Sequence, residues 1–411
     1  MHVLLVGGGG REHALAWKIA QSPLLTRLST TEDNPGFPAG AFSPEAGADP
    51  VAWSTAHGVD LVVIGPEAPL AAGLVDALNA AGIAAFGPSR AAARLEASKT
   101  FAKEVMDAAG VPTAGWAVYT DPAVAAAAIQ GPCVVKADGL AAGKGVVVAD
   151  TAEEARAAVA DALGGRFGAA GAQVLVEDRL TGPEVSVLAI CDGTRAIPLL
   201  PARDHKRRFD ADAGPNTGGM GAICPPVGVS TALVEEVRRR VLQPVVEAMA
   251  RAGAPFRGIL YAGLMLTPDG PKVLEFNARF GDPECQPLLM MLDEDLLPLL
   301  VAAAQGELED RPLRWRDGAC CCVVQVSDGY PGAYPKGRAL QPLPAATPDA
   351  VVFVAGARRA GDQLVTSGGR VLGVTAWGPD REAARARAYG LVSEVGFEGA
   401  SWRTDIGATV A

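Results

Sequence analysis

Lys136-Ala137-Asp138-Gly139-Leu140-Ala141-Ala142-Gly143-Lys144-Gly145 directly follows the apolar run Cys133-Val134-Val135. The order is a strand end, a lysine at that end, and a flexible turn whose backbone N–H groups can wrap an anion. Such a turn suits the phosphates of a nucleotide. It is not a Walker A loop, which needs four residues between its glycines and Ser or Thr after the lysine. Here three residues separate Gly139 from Gly143, and Gly145 follows Lys144. With no hydroxyl at that place for magnesium, metal ligands have to come from elsewhere in the chain. A Gly-rich hairpin by itself is often only a turn, so the surrounding sequence decides.

Around the loop, Val146-Val147-Val148, Val174 to Glu177 and Glu184 to Leu188 are short β-branched runs, with helices expected over 123–129 and 152–162. They describe a small α+β module. Upstream, Val3 to Val6 and Leu61 to Ile64 alternate with helical stretches over 11–20 and 70–81. That rhythm predicts a parallel sheet with ligands at its carboxyl edge. Gly87-Pro88-Ser89 closes this unit, and a helix over 89–109 leads out of it. Downstream, residues 196–305 carry the densest polar motifs. Residues 319–411 return to strands and glycine turns, with Gly368-Gly369-Arg370 before a strand over 371–376. No internal repeat stands out.

The 411 residues suffice for two or three domains, and the mix of 49% apolar and 20% charged residues is that of a folded globular chain. A formal net charge of −10 argues against a nucleic-acid groove. Arg238-Arg239-Arg240 reads as the solvated face of a helix whose apolar side is Leu233, Val234, Val237, Val241 and Leu242. Seven cysteines without paired spacing do not suggest a disulfide framework, and Cys320-Cys321-Cys322 runs into Val323-Val324 like a buried strand. Reduced thiols in a cytoplasmic protein are expected. No signal peptide or membrane span is expected.

Lys272-Val273-Leu274-Glu275-Phe276-Asn277-Ala278-Arg279 reads as a strand. Alternation sets Glu275 and Asn277 on one face, with Leu274 and Phe276 toward a core. Two oxygen ligands suit Mg²⁺, which completes its shell with water and substrate phosphates. Arg279 falls on the same face if the strand continues, where it can stabilise a transferring phosphoryl group. Glu177 and Glu184 flank Asp178-Arg179-Leu180-Thr181-Gly182-Pro183, a strand–turn–strand connection. Backbone near Glu177 and Leu180 can read an adenine edge there, and Glu184 can reach ribose hydroxyls. Lys206, in Asp204-His205-Lys206-Arg207, and the glycines of Gly214 to Gly221 bracket a loop that allows close approach to a ligand. His205 is given no role, since lone histidines are mostly structural. Gly7-Gly8-Gly9-Gly10 after Val3 to Val6 suggests a dinucleotide loop, but the third glycine of that fingerprint falls on Glu12 or His13. The loop still suits a single phosphate at a helix start.

Taken together these stretches resemble the ATP-grasp ligases, and more closely the glycinamide ribonucleotide synthetases. The matching segments are GGGGREHALAWK at 7–18, GPEAPL at 65–70, KADGLAAGKGV at 136–146, DHKR at 204–207, GPNTGGMGA at 214–222, YAGLM at 261–265, EFNARFGDPE at 275–284 and TSGGRVLGVTA at 366–376. The resemblance implies α/β and α+β multidomain architecture: an ATP-grasp fold with an N-terminal parallel-sheet domain over 1–100, the ATP-grasp domain over 101–305 with a mobile lid over about 113–186, and a small β-rich C-terminal domain over 306–411.

It also implies the reaction. ATP phosphorylates the carboxylate of glycine, and 5-phosphoribosylamine attacks the glycyl phosphate to give glycinamide ribonucleotide, ADP and phosphate, a step of purine biosynthesis. Residue by residue, Lys99 and Lys136 meet the ATP phosphates, under a lid loop of Ala141, Ala142, Gly143, Lys144 and Gly145. Glu177 to Leu180 form the adenine hinge, with Glu184 at the ribose. Glu275 and Asn277 hold Mg²⁺ or Mn²⁺, and Arg279 faces the acyl phosphate. Lys206, Asn216, Thr217, Gly218 and Gly219 border glycine and phosphate. Gly8, Gly9, Gly10, Arg11, Glu67 and Arg370 are expected at phosphoribosylamine. The partners implied are small molecules only, acting on a monomer without nucleic acid or membrane. Two departures stand out. Gly8 replaces an asparagine common in the family, and Tyr261-Ala262-Gly263 stands where many ATP-grasp enzymes have an acidic residue. Rival readings are a carboxylase or formyl-transferring purine ligase, a nicotinamide dehydrogenase, and a non-catalytic nucleotide sensor.

Overall fold

A computed structural model describes residues 1–140 and 145–408. Val3, Leu4 and Leu5 are fully buried on the strand His2–Val6, which pairs in parallel with Arg27–Thr30 and with Leu61–Ile64; Ala84–Phe86 completes the sheet beyond Leu61–Ile64. All pairings are parallel, as the β-α rhythm requires. At the sheet's carboxyl edge lie Gly7 to Gly10 and Gly65-Pro66-Glu67. The helix Gly10–Ile19 starts there.

Two expected helices are each broken in two. The stretch 70–81 is Glu67–Ala72 and Leu74–Ala80, parted at Gly73 with φ +93°, a left-handed conformation that glycine adopts without Cβ strain. The stretch 89–109 is Arg90–Ala97 and Lys99–Ala109. Between them Ser98 Oγ accepts the Phe101 N–H at 3.1 Å, restarting the chain as a new capped helix.

The module around the quoted loop is an antiparallel sheet ordered Trp116–Tyr119, Val174–Asp178, Cys133–Ala137, Val146–Ala149. Helices Pro122–Ala128 and Ala152–Asp161 cover it, and Ala125, Val135, Val159 and Val174 form a small core of its own. A second antiparallel sheet runs Ala196–Pro198, Glu184–Asp192, Arg257–Thr267, Gly270–Asn277. Val105, Met106, Val245, Val246 and Met249, from helices Lys99–Ala109 and Gln243–Arg251, pack with its residues Val187, Leu260 and Phe276. Arg239 and Arg240 lie exposed, as expected of a solvated helix face.

The last sheet is ordered Arg203–Asp204, Gly221–Cys224, Ala319–Ser327, Arg370–Gly378, Ala350–Val354, with Ala400–Ser401 paired to Ala319–Ser327. Cys320, Cys321 and Cys322 are buried on it with free thiols. The helix Cys285–Met291, buried at every residue, joins these layers. Its Leu288 to Met291 belong to one core with Leu5 and Leu15, Leu188 and Ile190, Cys320 and Phe353. No helix among the described residues is long and apolar enough to cross a membrane.

One strand face departs from simple alternation. Gly263 opposes Glu275 but Leu264 opposes Val273, so Leu274 is an extra, bulged residue. Phe276 is buried as expected, whereas Leu274 is only half-buried and does not point into the core. The bulge leaves the Leu274 carbonyl outside the ladder and open to another donor.

Candidate active site

A cleft of about 1030 Å³ opens where the small antiparallel module faces the sheet edge Gly270–Asn277. Lys136, on Cys133–Ala137, reaches across it and donates to the bulged Leu274 carbonyl at 2.8 Å. The strand that leads into the glycine-rich loop therefore ends beside Glu275. The Lys136 ammonium also lies 2.9 Å from Glu177 Oε1, and Lys103 lies 3.1 Å from Glu177 Oε2. All three side chains are buried. Two lysines thus share one carboxylate, leaving a net positive charge at this wall. Burial lowers the Lys103 pKa, and Glu177 opposes the shift.

Lys99 opens its helix and donates to the carbonyls of Ala137 at 2.9 Å and Gly139 at 3.1 Å, so it stands at the mouth of the loop. Its pKa is lowered by burial against the pull of Glu275. Gly139, Leu140 and Gly145 line the cleft. Ala141, Ala142, Gly143 and Lys144 lie outside the described residues. Glu177 is laddered to Trp116 on one side and Val134 on the other, so the chain leaves the sheet at Arg179 and Leu180, which line the cleft. Glu184, half-exposed, lies 3.8 Å from the Lys206 ammonium.

Lys206 Nζ lies 3.3 Å from Glu275 Oε1. Burial alone would lower its pKa, but Glu275, Tyr261, Glu184 and Asp204 drive it well up. Glu275 is held down at about 2, chiefly by Lys206 and then, against burial, by Lys136 and Lys99. It is a carboxylate at any working pH. Asn277, two residues on, lines the same cleft. These donors are hard oxygens, and no group of three or more His, Cys, Asp or Glu side chains gathers for a metal among the described residues. Two such donors could hold Mg²⁺ completed by water and phosphate oxygens, and the Lys206 ammonium stands beside Glu275 here.

The strand ends at Asn277, yet Arg279 still faces the cleft because two carboxylates hold it there. Glu96 Oε1 lies 2.9 Å from Nη2, and Glu67 Oε2 lies 3.3 Å from Nε. Glu96 also accepts the Ala278 N–H at 2.7 Å. Burial opposes the Arg279 charge, and Glu96 and Glu67 more than restore it.

Asn216, Thr217 and Gly218 line the cleft. Thr217 Oγ1 donates to the Lys206 carbonyl at 2.8 Å and accepts from Gly219 N–H at 3.0 Å. Gly219 has φ +108°, and a Cβ there would fall 2.4 Å from Pro283 Cδ and 2.7 Å from Asp204 Oδ1, so nothing larger fits. Arg370 donates to the carbonyls of Gly218 and Asp282 and pairs with the Asp282 carboxylate at 3.1 Å. Its guanidinium ties the glycine loop to the segment after Arg279. Below it, Ser186 Oγ lies 2.7 Å from Tyr261 OH, which donates to Glu284 Oε1 at 2.8 Å. Burial and the Glu284 charge push the Asp204 carboxyl well up.

At the amino terminus the lining includes Arg11 and Glu67 but not Gly8, Gly9 or Gly10. The Gly9 N–H is taken by Glu12 Oε2 at 2.8 Å and the Gly7 N–H by Thr31 Oγ1 at 3.0 Å. Arg11 donates to Glu12 at 2.7 Å and to the Phe280 carbonyl at 3.1 Å. Sequence reasoning passed over Lys103, Glu96, Asp282 and Glu284. The last two lie inside the EFNARFGDPE stretch and were open to notice. Lys103 and Glu96 sit on helices without a motif, and only their long-range partners reveal them.

Family models of phosphoribosylglycinamide synthetase match the chain in three pieces: the N domain over 1–96, the ATP-grasp (A) domain over 97–285 and the C domain over 320–409. A phosphoribosylamine–glycine ligase of Rhizobium meliloti is 51% identical over 414 residues, covering 99% of this chain and 98% of its own length. The crystal structure of phosphoribosylamine–glycine ligase from Thermotoga maritima matches with a TM-score of 0.85 at 32% identity, covering 99% of this chain and 100% of that one. A biotin carboxylase from Campylobacter jejuni shares the fold at 15% identity, with a TM-score of 0.76 and coverage of 99% and 94%. The fold is ATP-grasp, and the chain belongs to the phosphoribosylglycinamide synthetase family.

Proposed function

We propose that this chain ligates glycine to 5-phosphoribosylamine at the expense of ATP, through a glycyl phosphate. One observation carries the chemistry: Lys136 from the loop-bearing sheet meets the Leu274-Glu275 corner of the other sheet, which supports a phosphate site and an oxygen-donor site in one cleft. Full-length relatedness to phosphoribosylamine–glycine ligases supports the substrates.

A carboxylate is a poor acyl donor because oxide would have to leave. A glycine carboxylate oxygen attacks the γ-phosphorus and ADP departs. The amine of phosphoribosylamine then attacks the acyl carbon, phosphate leaves with that oxygen, and the amine loses its proton. The protein has to orient, neutralise charge and exclude water. Lys99 and Lys136 are placed for the phosphates, with Ala141 to Gly145 as their cover. Backbone at Glu177 to Leu180 meets adenine, and Glu184 the ribose. Glu275 and Asn277 hold the divalent cation, which when bound neutralises phosphate charge. Arg279, oriented by Glu96 and Glu67, faces the acyl phosphate. Lys206 and Asn216 to Gly219 border glycine. Arg11, Glu67 and Arg370 serve phosphoribosylamine, Arg370 chiefly by fixing the loop at Gly218, while the Gly8 to Gly10 turn starts the helix that presents Arg11. The buried free thiols support a reducing, cytoplasmic setting.

The test is phosphate release with ATP, Mg²⁺ and phosphoribosylamine, offering glycine, other small carboxylates or bicarbonate. Strict dependence on glycine is expected. Equal turnover with bicarbonate would move the assignment to a carboxylase.

A further inference from the structure

Lys206, Asn216 and Thr217 stand at the base of a two-stranded hairpin, Arg207–Phe209 against Ala213–Asn216, that has almost no apolar anchorage. Every residue of Ala213–Asn216 is exposed, and Phe209 is 54% exposed. Its tip is held in a costly shape. Ala211 (φ 54°) and Asp212 (φ 51°) both adopt the left-handed region without being glycine, which needs surrounding contacts to persist.

Those contacts come from the far end of the chain. Arg403 is 2% exposed and spends its donors on this hairpin and on Asp405. Nη1 donates to Asp212 Oδ1 at 2.7 Å and to the Arg207 carbonyl at 3.1 Å. Nε and Nη2 hold Asp405 in a two-pronged pair at 2.7 Å each. Asp405 in turn accepts the Ala211 N–H at 2.9 Å. Thr404 grips Asp210 with its N–H at 2.8 Å and its hydroxyl at 2.5 Å. The Gly407 N–H donates to Nε2 of His205, the neighbour of Lys206, at 3.2 Å. The segment is itself anchored to the helix Arg381–Val392: Arg385 donates to the Ile406 carbonyl at 2.7 Å, and Tyr389 OH donates to the Arg403 carbonyl at 2.9 Å.

We propose that residues 403–407 form a strap that sets the hairpin, and with it Lys206, against Glu275, and that Arg403 is its positioning residue. Arg403 itself lies outside the cleft lining; it acts through Arg207 and Asp212, which line the cleft and to which it donates. The kinetic part of this inference rests on the ligase reading above, because it takes Lys206 and Asn216 to border glycine. A bidentate guanidinium suits the task, since it fixes direction as well as charge.

The test compares the full-length wild type with Arg403→Met and Arg403→Lys by amide hydrogen exchange and steady-state kinetics. Amides of 207–216 are expected to exchange about tenfold faster in Arg403→Met. The KM for glycine should rise about tenfold while that for ATP stays within about twofold, with partial recovery in Arg403→Lys. Unchanged exchange overturns the strap. Faster exchange with an unmoved glycine KM, or with equal rises for glycine and ATP, overturns the positioning role. If Arg403→Met fails to fold, Asp212→Asn on the exposed tip carries the same expectation at about threefold. A wild type without glycine-dependent ATP cleavage would sink the ligase reading, whereas the exchange result judges the strap by itself.

Discussion

Lys103, Glu177 and Lys136 show how one buried carboxylate sets the field of a binding wall. Were Glu177 balanced by Lys136 alone, the pair would be neutral and Lys136 would offer a triphosphate little net charge. Lys103, 3.1 Å from the second oxygen, supplies the missing positive charge from its place on the helix Lys99–Ala109. Substituting Lys103→Met is therefore expected to weaken ATP binding about tenfold. Calorimetric titration with ATP checks this, and unaltered affinity would show that Lys136 acts without its neighbour. Lys136 was legible in the sequence because it abuts a glycine loop. Lys103 was not, because a lysine inside a helix announces nothing until Glu177, from a distant strand, arrives beside it. Glu96 and Arg279 repeat the lesson.

Between residue and domain, small irregularities aim the functional groups. The bulge at Leu274 frees a carbonyl for Lys136 and turns Glu275 and Asn277 into the cleft. Plain alternation put Glu275 and Asn277 on one face but misplaced Leu274, since no local residue signals an extra strand position. Ser98 likewise divides what periodicity read as one helix. Its hydroxyl caps Lys99–Ala109 and reaches Asp138 Oδ2 at 3.1 Å, tying the helix that starts with Lys99 to the loop it serves. Ser98→Ala should cost about 1 kcal/mol of stability, the usual loss for a helix cap. Denaturant unfolding midpoints measure it, and no shift would mean that the cap bond is replaced by water.

Across the whole molecule, the parallel sheet, the second antiparallel sheet and the last sheet share one core through Cys285–Met291. The loop-bearing module keeps a core of its own. That division suits a rigid platform under a cover that can move as a body. As units we propose 1–100, 101–305 and 306–411, the second sending Arg203–Asp204 and Gly221–Cys224 across to the sheet of the third. Strand order of this kind was illegible in sequence, because short runs such as Gly221–Cys224 choose partners only in three dimensions. The motifs and their order were legible, because each motif is local, and the ATP-grasp architecture came with the family they resemble.

The chemistry assigned to the cleft is activation of a carboxylate by phosphorylation, and oxygen tracing tests it most directly. With glycine labelled by ¹⁸O in its carboxyl group, turnover with ATP and phosphoribosylamine should place one labelled oxygen in each phosphate released, read by mass spectrometry. Phosphate released without label, alongside formation of the amide, would contradict a glycyl phosphate and the cleft's proposed role.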